Sequence, residues 1–236
     1  ICSVSPLLEF CNIKQVPVHC NRLWDDASSA ANCPKGDIQL AYCRRCGFIT
    51  NILFDEHAMA YAPSYENSLF HSTVFQSYAE QLASELIERF DLHHKHIIEI
   101  GCGSGEFIEQ LCRLGQNTGM GFDPAWHLEQ PADKPNGRVQ FIPDVYSEHY
   151  GNIQANFFCG RHVLEHLADP GQLLNTIRHT VNGTSTTALY FEVPNSEYTF
   201  KQLAVWDIIY EHPSYFTPTS LYQMFTHYGF RVESVE

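Results

Sequence analysis

The chain has 236 residues, of which 44% are hydrophobic, 13% aromatic and 17% charged. This composition is typical of a globular protein with a substantial core, and it excludes disordered and collagen-like classes. The net charge is −13, and residues 61–236 alone carry 9 basic and 21 acidic side chains. Because phosphate binding depends on clustered Lys and Arg, this charge argues against a nucleic-acid partner.

Targeting signals and cysteine usage further restrict the class of protein that this chain can belong to. No apolar run approaches the length of a membrane span, and the first ten residues lack a basic start and a long apolar stretch. We therefore expect a cytoplasmic protein with no membrane partner. Nine cysteines are present, and six of them precede position 47. The odd total favours reduced thiols with a local metal site over a disulfide framework.

The first sixty residues predict a small cysteine-rich module. The run DIQLAYCRRCGFITNILF predicts a strand, a tight knuckle at Cys43–Cys46 and a second strand, and WDDASSAANCPKG before it predicts a loop. A helix is expected from Ser72 to about Phe90. Its packing stripe is predicted to consist of Val74, Phe75, Tyr78, Leu82, Leu86 and Phe90.

From residue 95 onwards, strands alternate with helices. The segments HIIEIG, TGMGFD, VQFIPD, ANFFCG, TALYFEV and RVESVE predict strands, and GEFIEQLCRLG predicts a helix. Asp169-Pro170 and Thr217-Pro218 each predict a helix start, with a capping side chain before a proline. Such alternation predicts an α/β fold with a doubly wound, mostly parallel, Rossmann-like sheet.

A glycine-rich loop between the first strand of this sheet and its helix is the strongest functional signal. The residues are Glu99-Ile100-Gly101-Cys102-Gly103-Ser104-Gly105. A dinucleotide fingerprint fails in both registers, because Glu106 and Ile108 stand where Gly or Ala is required, and no Lys-Ser/Thr follows for a Walker loop. An acidic residue before the turn suits a ligand with positive charge. Asp123 closes the next strand, where its carboxylate can accept both hydroxyls of a ribose.

With these residues, the chain from about residue 70 to its end resembles the class I S-adenosylmethionine-dependent methyltransferases. The resemblance implies S-adenosylmethionine as cofactor and a small-molecule substrate. The cofactor's methionine part would lie over Glu99, Gly101, Cys102, Gly103 and Gly105, its ribose on Asp123 beside Pro124, and its adenine by Asp144 and Val145. Arg161 and His162, after the fourth strand, would face cofactor and substrate. The implied domains are a Cys-rich module at 1–62 and a methyltransferase domain at 63–236.

The pair Cys43-x-x-Cys46-Gly is half of a four-cysteine structural zinc site. Cys2 is the natural third ligand, and its own Cys-x-x-Cys partner would precede Ile1, so the set is incomplete in this chain. Cys11, His19, Cys20 and Cys33 are alternative fourth ligands. The competing interpretation is a hairpin with two buried reduced thiols.

A zinc module joined to this fold resembles a narrower family, the C-methyltransferases of nucleotide-linked deoxysugars. The stretch YENSLFHSTVF, which begins at Tyr65, resembles a family segment near the cofactor. Residues 207–216 resemble the family's Tyr-His-Glu-His-x-x-Tyr-Phe signature, with departures at Ile209 and Tyr210. The expected seventh strand and the family's C-terminal domain do not follow before Glu236.

Carbon methylation next to a carbonyl requires a general base. We predict that His212 is this base, that His166 and Tyr210 line the acceptor pocket, and that Glu211 orients His212 or the substrate. A structural role for residues 210–212 is the competing interpretation. Oxygen or nitrogen methylation remains an alternative, as does a non-catalytic protein whose zinc module docks a partner. The sequence predicts neither the acceptor nor the oligomeric state.

Overall fold

The computed structural model describes residues 2, 6–20, 22–59, 70–126, 137–181 and 186–236. Its strands are β1 (Leu7–Pro17), β2 (Lys35–Cys43), β3 (Ile49–Asn51), β4 (His96–Ile100), β5 (Thr118–Phe122), β6 (Val139–Ile142), β7 (Phe157–Arg161), β8 (Ala188–Glu192) and β9 (Ser214–Tyr215). Its α-helices are α1 (Ala27–Ala31), α2 (Thr73–Phe90), α3 (Glu106–Leu114), α4 (Pro170–Thr180), α5 (Ser196–Lys201) and α6 (Pro218–His227). No helix in these described ranges is long and apolar enough to cross a membrane.

Two compact units make up the chain, and each is discontinuous in sequence. The first unit comprises Ile1–Glu66, Leu164–Arg178 and Val193–Glu236, and the second comprises Asn67–Val163 and His179–Glu192. The domain boundary expected between residues 62 and 63 stays a prediction.

The first unit contains an antiparallel sheet in the order β1-β2-β3-β9. The predicted strand–knuckle–strand is confirmed, with Ala41 opposite Thr50. Gly47 has φ +70°, which favours glycine, and its N–H donates to the carbonyl of Cys43 at 2.8 Å. The core of this sheet buries Val18, Ile38, Leu40, Ile49, Tyr210 and Tyr215.

The second unit contains a five-stranded parallel sheet in the order β6-β5-β4-β7-β8. From β4 the chain winds outward to β6 and then returns to β7 on the other side of β4. Ligands of open α/β sheets bind at the carboxyl ends of the strands where the order reverses, which here lies between β4 and β7. The predicted Rossmann-like sheet is therefore confirmed.

Helix α2 has the predicted bounds, but its predicted packing stripe is wrong in the amino-terminal half. The side chains of Ala79, Ala83, Leu86 and Ile87 are buried, whereas Val74 is 78% exposed and Tyr78 43% exposed. A spacing of four residues advances about 40° beyond one full turn at each step, so a strict i+4 stripe drifts around the helix. Helix α3 buries Phe107, Ile108, Leu111 and Cys112, and Leu114 is partly buried against the same core.

Two further expectations need correction. The predicted loop before β2 contains the short helix α1, because Asp26 caps it by accepting the N–H of Ser29 at 2.8 Å. The predicted final strand over residues 231–236 is not formed, and the side-chain hydrogen bonds there are local, as between Ser234 and Glu236. The helix start at Thr217 is confirmed by a capping box with Ser220.

Candidate active site

The glycine loop follows β4 and depends on glycine at two points. Gly101 and Gly105 have φ of +67° and +83°, in the left-handed region that favours glycine. A Cβ at Gly101 would lie 2.3 Å from Cγ2 of Val163, and one at Gly105 would lie 2.3 Å from Cε1 of Phe141. The turn therefore leaves no room for a side chain at either position.

Asp123 lies beside this loop, where the spacing of the sequence places it. Its Oδ2 accepts the N–H of Gly103 at 2.8 Å, and its Oδ1 accepts the N–H of Ala125 at 2.8 Å. An ionised carboxylate offers about four lone-pair sites, so both oxygens retain capacity for ribose hydroxyls. Pro124, the next residue, is exposed, and Cys102 in the loop is buried.

Glu99 is buried at the centre of the sheet, one residue before the end of β4. Its Oε2 accepts the N–H of Ile108 at 3.0 Å. Burial raises the pKa of Glu99 to about 8, although the positive charge of Arg161 opposes this shift. The side chain is therefore mostly protonated at neutral pH, and a cationic ligand would favour its ionised form.

Asp144 and Val145 follow β6, and both are exposed. The hydroxyl of Tyr150 donates to Oδ2 of Asp144 at 2.7 Å, and this hydrogen bond holds the pKa of Asp144 below its usual range. Val145 is 58% exposed and offers an apolar surface. The role of Asp144 and Val145 beside an adenine stays a prediction.

A stacked aromatic pair beside the loop received no role from the sequence. The rings of Trp126 and Phe141 lie 3.8 Å apart between centroids, at an angle of 10°. Phe141 is also the side chain that excludes a Cβ at Gly105. The one signal that the sequence offered was a Trp three residues after Asp123.

Arg161 lies at the carboxyl end of β7 and makes a buried ion pair that the sequence did not predict. Its Nε donates to Oε2 of Glu192 at 2.6 Å, and the side chains are 6% and 20% exposed. The guanidinium lies 4.4 Å from the ring centroid of Phe107. Nη2 of Arg161 is buried and has no hydrogen-bond acceptor among the described residues. His162, more exposed, lies 3.7 Å from Oε1 of Glu192.

In the first unit, His166 and His212 lie edge to face, with ring centroids 4.7 Å apart. Nδ1 of His166 bonds the carbonyl of Glu211 at 2.9 Å, and Nδ1 of His212 bonds that of Asp207 at 3.0 Å. Carbonyls only accept, so Nδ1 carries the proton in both rings and Nε2 carries the lone pair. Burial lowers the pKa of His212, and His166 lowers it further.

The carboxylate of Glu211 is buried and contacts residues from the amino-terminal part of the chain. Its Oε2 accepts from Sγ of Cys20 at 2.8 Å, and its Oε1 lies 3.6 Å from Nδ1 of His19. The orientation of His212 therefore comes from the Asp207 carbonyl and not from the Glu211 carboxylate. A role for Glu211 toward substrate stays a prediction.

Tyr210, which we expected to line the acceptor pocket, is buried in the first unit. It is 2% exposed, and its hydroxyl accepts the N–H of Asp55 at 2.9 Å. A Cβ at Gly36 would lie 2.2 Å from the Tyr210 ring, so β2 packs directly on it. This burial argues against Tyr210 in an acceptor pocket and favours the structural role for this residue. Tyr65, predicted near the cofactor, lies outside the described residues.

Three cysteines converge at the knuckle. Sγ of Cys2 lies 3.4 Å from Sγ of Cys43, and the ligand atoms of Cys2, Cys43 and Cys46 all lie within 4.8 Å of one another. Burial raises the pKa of Cys43, but backbone N–H groups of Cys46 and Arg45 donate to its sulfur and bring the pKa down to about 7. Such N–H donors to thiolate sulfur are typical of zinc knuckles. The alternatives His19 and Cys20 contact Glu211 instead.

Comparison with known proteins agrees with this geometry. A family model described as a methyltransferase domain matches residues 75–235. The chain is 25% identical over 252 aligned residues to the C-methyltransferase NovU of Streptomyces niveus, an alignment that covers all of this chain and 56% of the relative. The crystal structure of human N-acetylserotonin methyltransferase with S-adenosylmethionine has a similar fold, with a TM-score of 0.51 and 19% identity, over 66% of this chain and 49% of that chain. The chain thus spans about half the length of the relatives it matches.

Proposed function

The chain belongs to the methyltransferase domain family, and on that basis we propose that it transfers the methyl group of S-adenosylmethionine to a small molecule, at a carbon next to the carbonyl of a nucleotide-linked keto-deoxysugar. The similarity to a C-methyltransferase over the full length of this chain supports carbon as the acceptor atom. The partial signature at Glu211-His212 and Tyr215-Phe216 supports a sugar acceptor.

The residues of the second unit fit S-adenosylmethionine. The turn at Gly101–Gly105 would hold the methionine part, and Asp123 retains lone pairs for the ribose. Asp144 and Val145 are exposed and suit the adenine edge and face. Nη2 of Arg161 is buried and bonds no acceptor in the part of the chain that the structure describes, which suits a carboxylate such as that of the methionine part. When bound, S-adenosylmethionine supplies an electrophilic methyl group.

The tautomer of His212 is the observation that carries the proposal for carbon methylation. A general base must be neutral and must present a lone pair at neutral pH. The Asp207 carbonyl keeps the proton on Nδ1, and burial lowers the pKa of the ring, so Nε2 is free to accept a proton. We propose that Nε2 takes the proton from the carbon beside the substrate carbonyl. The electron pair of that C–H bond would then form the new bond to the methyl carbon, while the methyl–sulfur bond would break and leave its electron pair on the sulfur of S-adenosylhomocysteine.

His166 complements this base. Its ring is fixed in the same tautomer by the Glu211 carbonyl, so it too presents Nε2. We propose that His166, whose ring lies edge to face with that of His212, lines the acceptor pocket beside this base. Glu211, held by Cys20, fixes the carbonyl that orients His166.

The test uses keto-deoxysugar nucleotides that carry deuterium at the carbon beside the carbonyl. Transfer to carbon removes the label and adds a methyl group, whereas transfer to oxygen or nitrogen adds a methyl group and keeps the label. Mass spectrometry of the product at short reaction times therefore distinguishes the two. A methylated product that retains deuterium contradicts carbon methylation. Cofactor binding without transfer to any acceptor would favour the non-catalytic alternative.

We also propose that Cys2, Cys43 and Cys46 hold a structural zinc ion. Thiolates held by a knuckle with N–H donors to sulfur are a typical zinc ligand set. The groove next to Cys2 and Cys46 is lined by residues of α6, among them Thr226 and His227. With a fourth thiolate from a nearby cysteine, the zinc ion would have no open position, so its role would be to support folding and not to perform chemistry.

A further inference from the structure

A second group of metal-ligating side chains lies in the first unit and shares no residue with the cysteine cluster. Glu165, His166 and His212 each offer one ligand atom, and these atoms lie within 4.8 Å of one another. Glu165 is 2% exposed, while the two histidines are half-buried. The group therefore has one buried carboxylate and two imidazoles that an ion can reach.

Both imidazoles are already arranged as metal ligands. Histidines that bind metals almost always donate their other ring N–H to a carbonyl or carboxylate, which fixes the tautomer and the ring orientation. His166 and His212 each do so, to the carbonyls of Glu211 and Asp207. Two independent backbone hydrogen bonds thus leave two Nε2 lone pairs in neighbouring rings.

We propose that Glu165, His166 and His212 form a binding site for a divalent transition metal ion, and that an ion bound there inhibits methyl transfer. Two imidazole nitrogens with one carboxylate oxygen suit Zn²⁺, Co²⁺ or Ni²⁺, whereas Mg²⁺ and Ca²⁺ prefer oxygen ligands alone. Three protein ligands leave a fourth position for water.

A bound ion would inhibit methyl transfer because it binds the lone pair that His212 needs as a base. The inhibition rests on the proposed function. The lone pair on Nε2 of His212 is the one proposed to accept the substrate proton. A metal ion on that nitrogen occupies the same lone pair, so the ring can no longer act as a base. Metal binding and proton abstraction are therefore mutually exclusive at His212.

The binding experiment uses the full chain with one equivalent of zinc on its cysteine cluster and free zinc removed, and this protein is titrated with Co²⁺. Isothermal calorimetry is expected to show one additional ion per chain, with zinc retained in metal analysis. The visible spectrum should show d–d bands without the charge-transfer absorption of cobalt thiolates. Glu165→Gln and His212→Asn should each weaken Co²⁺ binding at least about tenfold, since even outer partners of a metal site typically contribute 10–100-fold. His57→Asn, at an exposed histidine of the same unit, should leave it unchanged.

Two results overturn the metal site. One is the absence of an additional ion in the protein that carries a single zinc ion, and the other is equal Co²⁺ affinity in wild type, Glu165→Gln and His212→Asn. Circular dichroism of both variants establishes that a loss of Co²⁺ affinity is not caused by a loss of folding. Co²⁺ that binds there without slowing methyl transfer overturns the inhibition. If no keto-sugar is methylated with or without Co²⁺, the proposed function fails while the binding result stands.

Discussion

Arg161 and Glu192 stand opposite each other at the carboxyl ends of two neighbouring strands, and Nε of Arg161 donates to Oε2 of Glu192 at 2.6 Å. Tyr78 donates its hydroxyl to the other oxygen of Glu192 at 2.7 Å. Burial raises the pKa of Tyr78, and Glu192 raises it further, to about 12, so the phenol remains a donor. An Arg, a Glu and a Tyr from three parts of the chain thus form one hydrogen-bonded network in the second unit, in which the Arg–Glu pair is buried and Tyr78 is partly exposed.

Glu192→Ala is expected to destabilise the protein by about 3–5 kcal/mol, because it leaves the buried guanidinium of Arg161 without its charge partner. The measurement is urea unfolding followed by circular dichroism. Glu197→Ala is the matched control. Glu197 pairs with Lys201 at the same distance of 2.6 Å, but these side chains are 40% and 70% exposed. The free energy of unfolding of this control should fall by only about 0.3–0.5 kcal/mol. Equal losses in the two variants would contradict a buried, energetically important pair.

Asp123→Ala should weaken binding of S-adenosylmethionine by about 1.5–3 kcal/mol, since hydrogen bonds to a charged group are lost. The change also removes the acceptor that holds the N–H of Gly103. Calorimetry with the cofactor measures the loss, and Asp25→Ala, at an exposed aspartate, is the control. Unchanged affinity, or preferential binding of a nicotinamide dinucleotide, would refute the assignment of Asp123 to the ribose.

His212→Asn should reduce turnover by about 10²–10⁴-fold, the typical contribution of a general base. Affinity for the cofactor should remain nearly unchanged. His57→Asn should retain full activity. A His212→Asn variant that keeps most of its activity would favour in-line transfer to oxygen or nitrogen, where positioning of the acceptor does most of the work. A variant that loses cofactor binding as well would indicate a structural role for the segment.

Cys46→Ser should remove zinc and destabilise the knuckle, because structural zinc contributes directly to folding. Metal analysis of the wild type should show one zinc ion per chain. Cys33→Ser, at one of the alternative ligands, distinguishes the possible fourth ligands: retained zinc excludes Cys33. No zinc in metal analysis of the purified wild type would contradict the zinc module and favour a hairpin of reduced thiols.

Glu99→Gln should make the protein less sensitive to pH between about 4.5 and 8. The pKa of Glu99 is raised from 4.5 to about 8 in the folded state, so in this window the folded state binds more protons than the unfolded state. The contribution of Glu99 to stability therefore falls as pH rises through the window. Thermal unfolding at several pH values should show that the melting temperature of the variant rises relative to that of the wild type as the pH approaches 8. The same gain in Glu88→Gln, at an exposed glutamate, would contradict this cause.

Interactions between residues that are close in the sequence determined much of what could be predicted, above all in the second unit. The glycine loop, Asp123 and the strands around them lie within about thirty residues, and their order alone fixes which side chain reaches the loop. Capping residues such as Ser72 and Thr217 act within three residues, which is why both helix starts are as predicted. The buried face of α2 was predicted less well, because small alanines give little signal in a pattern of hydrophobic residues.

Long-range packing decided the rest. Cys20 and Glu211 are 191 positions apart, and no spacing in the sequence indicates that the thiol donates to that carboxylate. The same holds for Tyr210, which the sequence placed in a pocket and which the structure buries against Gly36. Such contacts form only when distant segments pack on one core. Closing a long loop costs entropy, and the burial of the whole core offsets this cost, whereas the contact between two residues does not. The sequence therefore determined the loop and its acid, and only the tertiary structure determined what surrounds Glu211 and His212.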